Sequence, residues 1–279
     1  MQSNILLKKV LFMAWCSWLA ACGDDTGVPV DKNNSGIAGA DDIPVLHYSV
    51  IRYFPHDTTS YTEGLLFHKG SLFESTGSPD GKPHLRSVVG MVDLTNGAIS
   101  ATIVLPKRYF GEGIAFLNNK LYQLTYKHQV GFVYNADDYK LVDSFFFPSA
   151  EGWGLTTDGT YLIMSDGTNT LTYIHPADYS VAKVLHVSDN KGIVKRLNEL
   201  EFVKGFLYAN VGYTETIVKI DTATGRVAGR IDLSSLRHEA SVKYPHILDM
   251  NGIAYDSTAG TFYVTGKFWP NIYEISFPH

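Results

Sequence analysis

Glu63-Gly-Leu-Leu-Phe67 returns as Glu112-Gly-Ile-Ala-Phe116, Glu151-Gly-Trp-Gly-Leu155, Asn198-Glu-Leu-Glu-Phe202 and Asn251-Gly-Ile-Ala-Tyr255. The starts lie 49, 39, 47 and 53 residues apart. Each phrase is followed, after a turn, by a second apolar strand: Ser71-Leu-Phe-Glu-Ser75, Lys120-Leu-Tyr-Gln-Leu124, Thr160-Tyr-Leu-Ile-Met164, Gly205-Phe-Leu-Tyr-Ala209 and Gly260-Thr-Phe-Tyr-Val264. The turns Lys69-Gly70, Asn118-Asn119, Asp158-Gly159, Lys204-Gly205 and Ala259-Gly260 carry hairpin chemistry, because Gly and Asn accept the positive φ that a tight turn needs. Several units add a third strand, as in Thr216–Gly225 and Ser87–Gly97. Repeats of this length built from short strands are the size of propeller blades.

Five such units over residues 45–279 predict an all-β, five-bladed β-propeller. One blade cannot bury both faces of its sheet, whereas a ring of five buries every face between neighbours. A β-sandwich with coincidentally similar strands is the competing reading. A strand from Leu46 to Ile51 is expected to complete the last blade. Composition agrees: 17 tyrosines, 15 phenylalanines and 25 glycines suit strands and turns better than long helices. With 23 basic against 28 acidic residues, a net charge of -5 and no basic run, nucleic acid is not an expected partner.

The N-terminus reads as an address. Lys8-Lys9, the apolar run Val10–Leu19 and Ala20-Ala21-Cys22 follow the charged, apolar and small-residue order of a secretory signal too short to span a membrane. Leu19-Ala20-Ala21-Cys22 resembles the bacterial lipoprotein signal. Residues 1–22 are therefore expected to be a signal peptide with Cys22 as lipid acceptor, residues 23–45 a flexible tether rich in Gly, Asp, Asn and Ser, and 46–279 the propeller. The expected location is the bacterial cell envelope, periplasmic or surface-exposed, with membrane contact through the lipid alone. Cys16 falls in the removed segment, so the mature domain would hold no thiol or cysteine metal ligand.

In a propeller the innermost strands line a central channel, and the repeated phrase would be that strand. Glu63, Glu112, Glu151, Asn198 and Asn251 would then converge around one axis. Carboxyl groups gathered without cations raise one another's pKa, which suits a general acid or base; solvated channel-lining groups are the plainer alternative. Trp153, Tyr126, Trp269, Phe110 and Tyr61 could form an aromatic box near the same mouth, although each singly also reads as blade packing. No H-E-x-x-H, G-x-S-x-G or phosphate-binding glycine loop occurs, so zinc or serine-triad hydrolysis gains no support.

Phe110-Gly-Glu-Gly113, Glu151-Gly-Trp-Gly-Leu155, Ser165-Asp-Gly-Thr168, Leu197-Asn-Glu-Leu-Glu201, Asn251–Asp256 and Val264-Thr-Gly-Lys-Phe-Trp-Pro270 resemble the plant- and bacterial-type glutaminyl-peptide cyclotransferases across about residues 48–275. The resemblance implies a five-bladed propeller that closes an N-terminal Gln of a peptide onto itself, releasing ammonia as pyroglutamate forms. It implies Glu112 as the catalytic glutamate, with Asn198 and Lys267 holding the amide oxygen and Trp153 among the aromatic walls. An intramolecular reaction that expels ammonia needs no cofactor, and a monomer acting on peptide or protein N-termini is expected. The metal-dependent animal-type cyclases are a different fold, which this sequence does not resemble.

Three positions depart from the family pattern. Tyr61-Thr-Glu-Gly64 puts a carboxylate, Glu63, where an amide is usual; Tyr126 replaces a Trp; and Asn210-Val-Gly212 deletes an aromatic wall, with Tyr213 adjacent. Glu63 beside Glu112 should raise the pKa of the pair, and the open wall should weaken binding. A propeller that binds peptide N-termini or sugars without turnover is the main alternative, and a structural scaffold on the membrane is the third reading.

Overall fold

The computed structural model describes residues 43–82 and 84–279, so the signal segment, Cys22 and most of the tether lie outside the described residues. Five four-stranded antiparallel sheets form the blades. The first contains β2 (Thr62–His68), β3 (Ser71–Thr76), β4 (Val88–Val92) and β5 (Ile99–Val104) in sequence order. The second contains β6 (Gly111–Leu117), β7 (Lys120–Thr125), β8 (Val130–Asn135) and β9 (Leu141–Phe146). The third runs β10 (Leu155–Thr157), β11 (Leu162–Ser165), β12 (Thr170–Ile174) and β13 (Val181–His186). The fourth runs β14 (Leu197–Val203), β15 (Phe206–Val211), β16 (Thr216–Asp221) and β17 (Val227–Asp232).

The fifth blade joins the two ends of the domain. Strands β18 (Met250–Asp256), β19 (Thr261–Gly266) and β20 (Asn271–Ser276) are completed by β1 (Ser49–Pro55), which pairs antiparallel with β20. An N-terminal strand does close the ring, but over Ser49–Pro55 rather than from Leu46, whose segment pairs with the fourth blade. Ahead of it, Leu46 N donates to Arg230 O and Arg230 N donates to Pro44 O, so the entering chain also adds to the edge of the fourth blade.

The turns follow from their residues. Lys69-Gly70, Asn118-Asn119 and Lys204-Gly205 have positive φ at both central positions, the geometry that matches strand twist in a two-residue hairpin. The outermost strands carry mostly exposed side chains, as in Leu141–Phe146 and Val181–His186.

Apolar residues separate into five buried clusters, one at each blade interface. Leu66 and Phe73 meet Ile114 and Leu121; Tyr122 and Leu124 meet Leu155 and Met164; Ile163 and Tyr173 meet Leu200 and Leu207. Tyr208 and Ile217 meet Ile253 and Phe262, and Leu65 and Leu72 meet Ala254 and Tyr263. Each fully buried Leu, Ile or Phe stabilises by about 1.5–3 kcal/mol, so closure of the ring, rather than any single sheet, carries the fold.

Among the described residues one helix, α1 (Ser234–Lys243), interrupts the β pattern in the longest interval between repeats. Asp232 accepts from Ser234 N at its start, and Tyr244-Pro245 ends it because the residue before proline avoids helical backbone. Leu236 and Ala240 bury against the cluster between the fourth and fifth blades. The chain then descends through Ile247 to Asp249 at the channel mouth.

Candidate active site

Strands β2, β6, β10, β14 and β18 contact one another in a ring around the axis. In four of them the ladder slips at the start of the strand: between Thr62 and Gly64, Gly111 and Ile114, Leu197 and Leu200, and Met250 and Ile253. A bulge leaves one residue unpaired and re-aims its side chain. The residues in those slips include Glu63, Glu112, Asn198 and Asn251, the leading members of the repeated phrase.

The glycine that follows has a separate cause. A Cβ on Gly113 would lie 2.3 Å from Leu155 N, and one on Gly154 would lie 2.2 Å from Asn198 O, so neighbouring inner strands approach backbone to backbone. Gly113 N donates to Trp153 O at 2.9 Å across that contact. Two serines one strand outward tie the ring further: Ser75 Oγ donates to Glu112 O at 2.6 Å, and Ser165 Oγ to Asn198 O at 2.7 Å.

The third blade departs from this plan. Glu151-Gly-Trp-Gly154 precedes β10 instead of lying in it, and the side chain of Glu151 is about a third exposed, off the inner strand. There it accepts from Trp153 Nε1 at 3.0 Å and faces Lys127 at 3.8 Å. Its work is to orient the Trp153 ring, and four of the five expected polar groups remain near the axis.

Glu63, Glu112, Asn198 and Lys267 line one cavity of about 420 Å³ with Tyr61, Phe110, Tyr126 and Trp153. Tyr61 meets Phe110 edge-on at 5.9 Å, and Phe110 lies 5.7 Å from Tyr126. Trp153 and Tyr213 also line the cavity, and the Arg196 guanidinium lies 5.3 Å from the Tyr213 ring centroid. Glycines make room for these walls: a Cβ on Gly77 would fall 2.1 Å from the Phe110 ring, and one on Gly167 would fall 2.6 Å from Trp153.

Trp269 is not brought to the mouth. It is fully buried, donates Nε1 to Leu248 O at 3.0 Å and packs edge-on to Tyr273. From there it supports the loop pairing in which Leu248 N donates to Lys267 O and Lys267 N to Asp249 O. That pairing sets both Lys267 and Asp249 at the cavity. Tyr213, which follows the second strand of its repeat beside Gly212, does reach the cavity, whereas Asp249 follows an unrepeated helix to which the repeat pattern did not point.

The polar floor is asymmetric. Lys267 Nζ lies 2.8 Å from Glu63 Oε1, and Asn251 Nδ2 donates to Glu63 Oε2 at 2.8 Å. The Tyr61 ring sits 4.5 Å from the same ammonium. Glu112 has no protein donor on its carboxyl oxygens among the described residues and is 4 % exposed. Burial first, the Glu63 carboxylate second and the Glu151 carboxylate last push Glu112 well above the usual carboxylate range, against a downward pull from Lys267. Burial also raises Glu63, with Lys267 and Asn251 holding it back. Burial works to lower Lys267, but Glu63, Tyr61 and Glu112 outweigh it and the net direction is up.

The two carboxyl groups sit in unlike surroundings: Glu63 is held by Lys267 and Asn251, whereas Glu112 has no such partner, an arrangement that could let it carry a proton. Asn198 adds a buried Oδ1 that has no partner, leaving an acceptor for a bound N–H. Among the described residues no group of three or more His, Cys, Asp and Glu side chains is arranged to hold a metal ion.

Comparison with known proteins follows the same lines. The profile of the family described as Glutamine cyclotransferase matches residues 26–277. The chain is 34% identical over 268 residues to a glutaminyl-peptide cyclotransferase of Arabidopsis thaliana, covering 95% of this chain and 78% of that protein. The crystal structure of Myxococcus xanthus glutaminyl cyclase matches with a TM-score of 0.76 and 31% identity over 84% of this chain and 98% of that one.

Proposed function

The chain belongs to the glutamine cyclotransferase family, and from that premise we propose that it converts the N-terminal Gln of peptides or proteins to pyroglutamate and releases ammonia. The α-amine nitrogen attacks Cδ of the Gln side chain, forming the ring N–C bond, and the C–N bond to the amide nitrogen breaks. The amine attacks in its neutral form and gives up one proton as the ring N–C bond forms, and the departing nitrogen must gain one to leave as ammonia. Glu112 takes the first and delivers the second, so no net proton is consumed.

The observation that carries this reading is Glu112 itself: buried, without a protein partner, held above the ordinary carboxylate range, and opening on a cavity walled by aromatic rings. Asn198 gives its amide N–H to the amide oxygen, as the family pattern implies, and accepts an N–H of the substrate at its otherwise unpartnered Oδ1. Lys267 keeps two N–H donors beyond the one given to Glu63 and directs them at the amide oxygen as it gains negative charge. Tyr61, Phe110, Tyr126 and Trp153 confine the Gln side chain in a conformation that brings amine and Cδ together. Glu63, standing where the family carries an amide, positions Lys267 and tunes Glu112.

The proposed reaction places the enzyme among the acyltransferases and uses side chains alone. Ammonia release from a Gln-initiated peptide by the purified domain, with and without a chelator, tests it; ammonia dependent on an added metal would overturn the metal-free scheme. We propose the envelope address on residues 1–22 alone. Labelled palmitate should enter the wild-type chain and not Cys22→Ala, and equal labelling would refute the anchor.

A further inference from the structure

The charge on the cavity is not evenly spread. Its floor gathers Glu63 and Glu112, with Asp249 beside them, around Lys267, whereas its exposed outer wall carries Lys107 and Arg108, with Asp80 and with Lys127, which faces Glu151. Beyond that wall lies a second groove of about 180 Å³ that shares Ser78, Pro79, Asp80 and Lys107 with the cavity, so the two are continuous. Lys82, Arg86 and Lys107 line this groove against one acid, Asp80. Among the described residues none of those three cations, nor Arg108, has a carboxylate within ion-pair distance. The chain as a whole is net negative, so this local excess of uncompensated positive charge is a departure from its surroundings.

The loop that forms the groove is tied in place. Leu85 N donates to Lys82 O at 2.9 Å, Thr76 Oγ1 donates to Arg86 O at 3.1 Å, and the Lys82 ammonium lies 5.0 Å from the Phe268 ring centroid, beside Tyr61. A peptide entering amine first puts its N-terminus over the acidic floor, and its chain leaves at about 3.3–3.6 Å per residue. Its second and third residues then reach the outer wall.

We propose that this groove receives the peptide beyond its N-terminal Gln and selects a carboxylate there, either an acidic side chain at the second or third position or the free C-terminus of a short peptide. The inference rests on the cyclase reading above. Floor and groove form a field with a negative inner end and a positive outer end, which matches a chain entering by its amine and orients it before contact.

The test compares kcat/KM for Gln-Ala-Ala amide, Gln-Glu-Ala amide, Gln-Ala-Glu amide, Gln-Lys-Ala amide and Gln-Ala-Ala with a free carboxyl end. At low salt at least one carboxylate-bearing peptide exceeds the neutral amide by roughly fivefold to tenfold, through KM, and the lysine peptide falls below it. The free-acid and acidic-amide arms tell which carboxylate source is read. At about 0.5 M salt the spread shrinks, because screening reaches only a few ångströms. Arg86→Glu with Lys107→Glu reverses the order, and Asp80→Asn widens it; a variant that merely folds poorly cannot invert a preference. Turnover of all five peptides at one rate, or a preference untouched by charge reversal, overturns the inference alone. No turnover of any Gln peptide overturns the cyclase reading and this inference with it.

Discussion

The Lys267 ammonium sits 2.8 Å from the Glu63 carboxylate on the floor of the cavity, and Asn251 holds the other oxygen of that carboxylate. The pair leaves Glu112 on the same floor without a fixed partner.

Glu63→Gln removes the second cause of the raised Glu112 pKa and frees Lys267, which lowers it. Both effects point the same way. In the proposed scheme Glu112 takes up a proton first, as a carboxylate, so activity should fall as pH drops through its pKa, and the acidic limb of the kcat profile should move to lower pH in this variant. A limb that stays in place or moves upward would show that Glu63 does not tune Glu112.

Lys267→Met strips a buried carboxylate of its cation and should cost about 3–5 kcal/mol of stability by denaturant unfolding. Adding Glu63→Gln removes the stranded charge and restores most of that loss. Additive losses in the double variant would mean that the two residues are not coupled.

His56 and Glu74 form a second buried pair away from the cavity, with His56 Nε2 3.1 Å from Glu74 Oε2 and Nδ1 2.8 Å from Trp269 O. Burial lowers the His56 pKa, but Glu74 and the Trp269 carbonyl outweigh it and hold the imidazole above its ordinary value. A raised histidine stabilises fully below its unfolded pKa of about 6.5, and that contribution is lost as pH rises through the folded value. His56→Phe should therefore cost about 3–5 kcal/mol near pH 6 and less at alkaline pH. A cost that does not vary with pH would assign His56 a packing role only.

Gly212→Trp tests the missing wall. A Cβ there would lie 3.4 Å from Trp153 and from Arg196 O, ordinary contact, so the backbone accepts a side chain. An added ring beside Trp153 should lower KM for Gln peptides about twofold to tenfold, as aromatic contacts of about 0.5–1.5 kcal/mol allow. An unchanged KM would show that Tyr213 already serves as that wall.

The ring of blades was legible because its cause is periodic. Every inner strand needs apolar residues toward its neighbours and, in most blades, a glycine where two backbones meet, so the phrase recurs wherever the geometry does. Helix α1 and Asp249 were not legible, because they occur once, in the longest interval. Trp269 was misplaced for a related reason: motif position puts it beside Lys267, but a ring two residues on points the opposite way, beneath the loop. Glu151 shows the limit of the repeat itself, since β10 starts later than its counterparts and leaves that carboxylate outside the ring. The pairing of Lys267 with Glu63 joins opposite ends of the chain and has no signature in either segment.

The most direct measurement is ammonia and pyroglutamate formation from a Gln-initiated peptide by the wild-type chain beside Glu112→Gln. The account predicts stoichiometric ammonia from the wild type and a fall in kcat of about 10²–10⁴ in the variant, with KM changed only a few-fold. Substantial turnover by Glu112→Gln would contradict the assignment of proton transfer to Glu112.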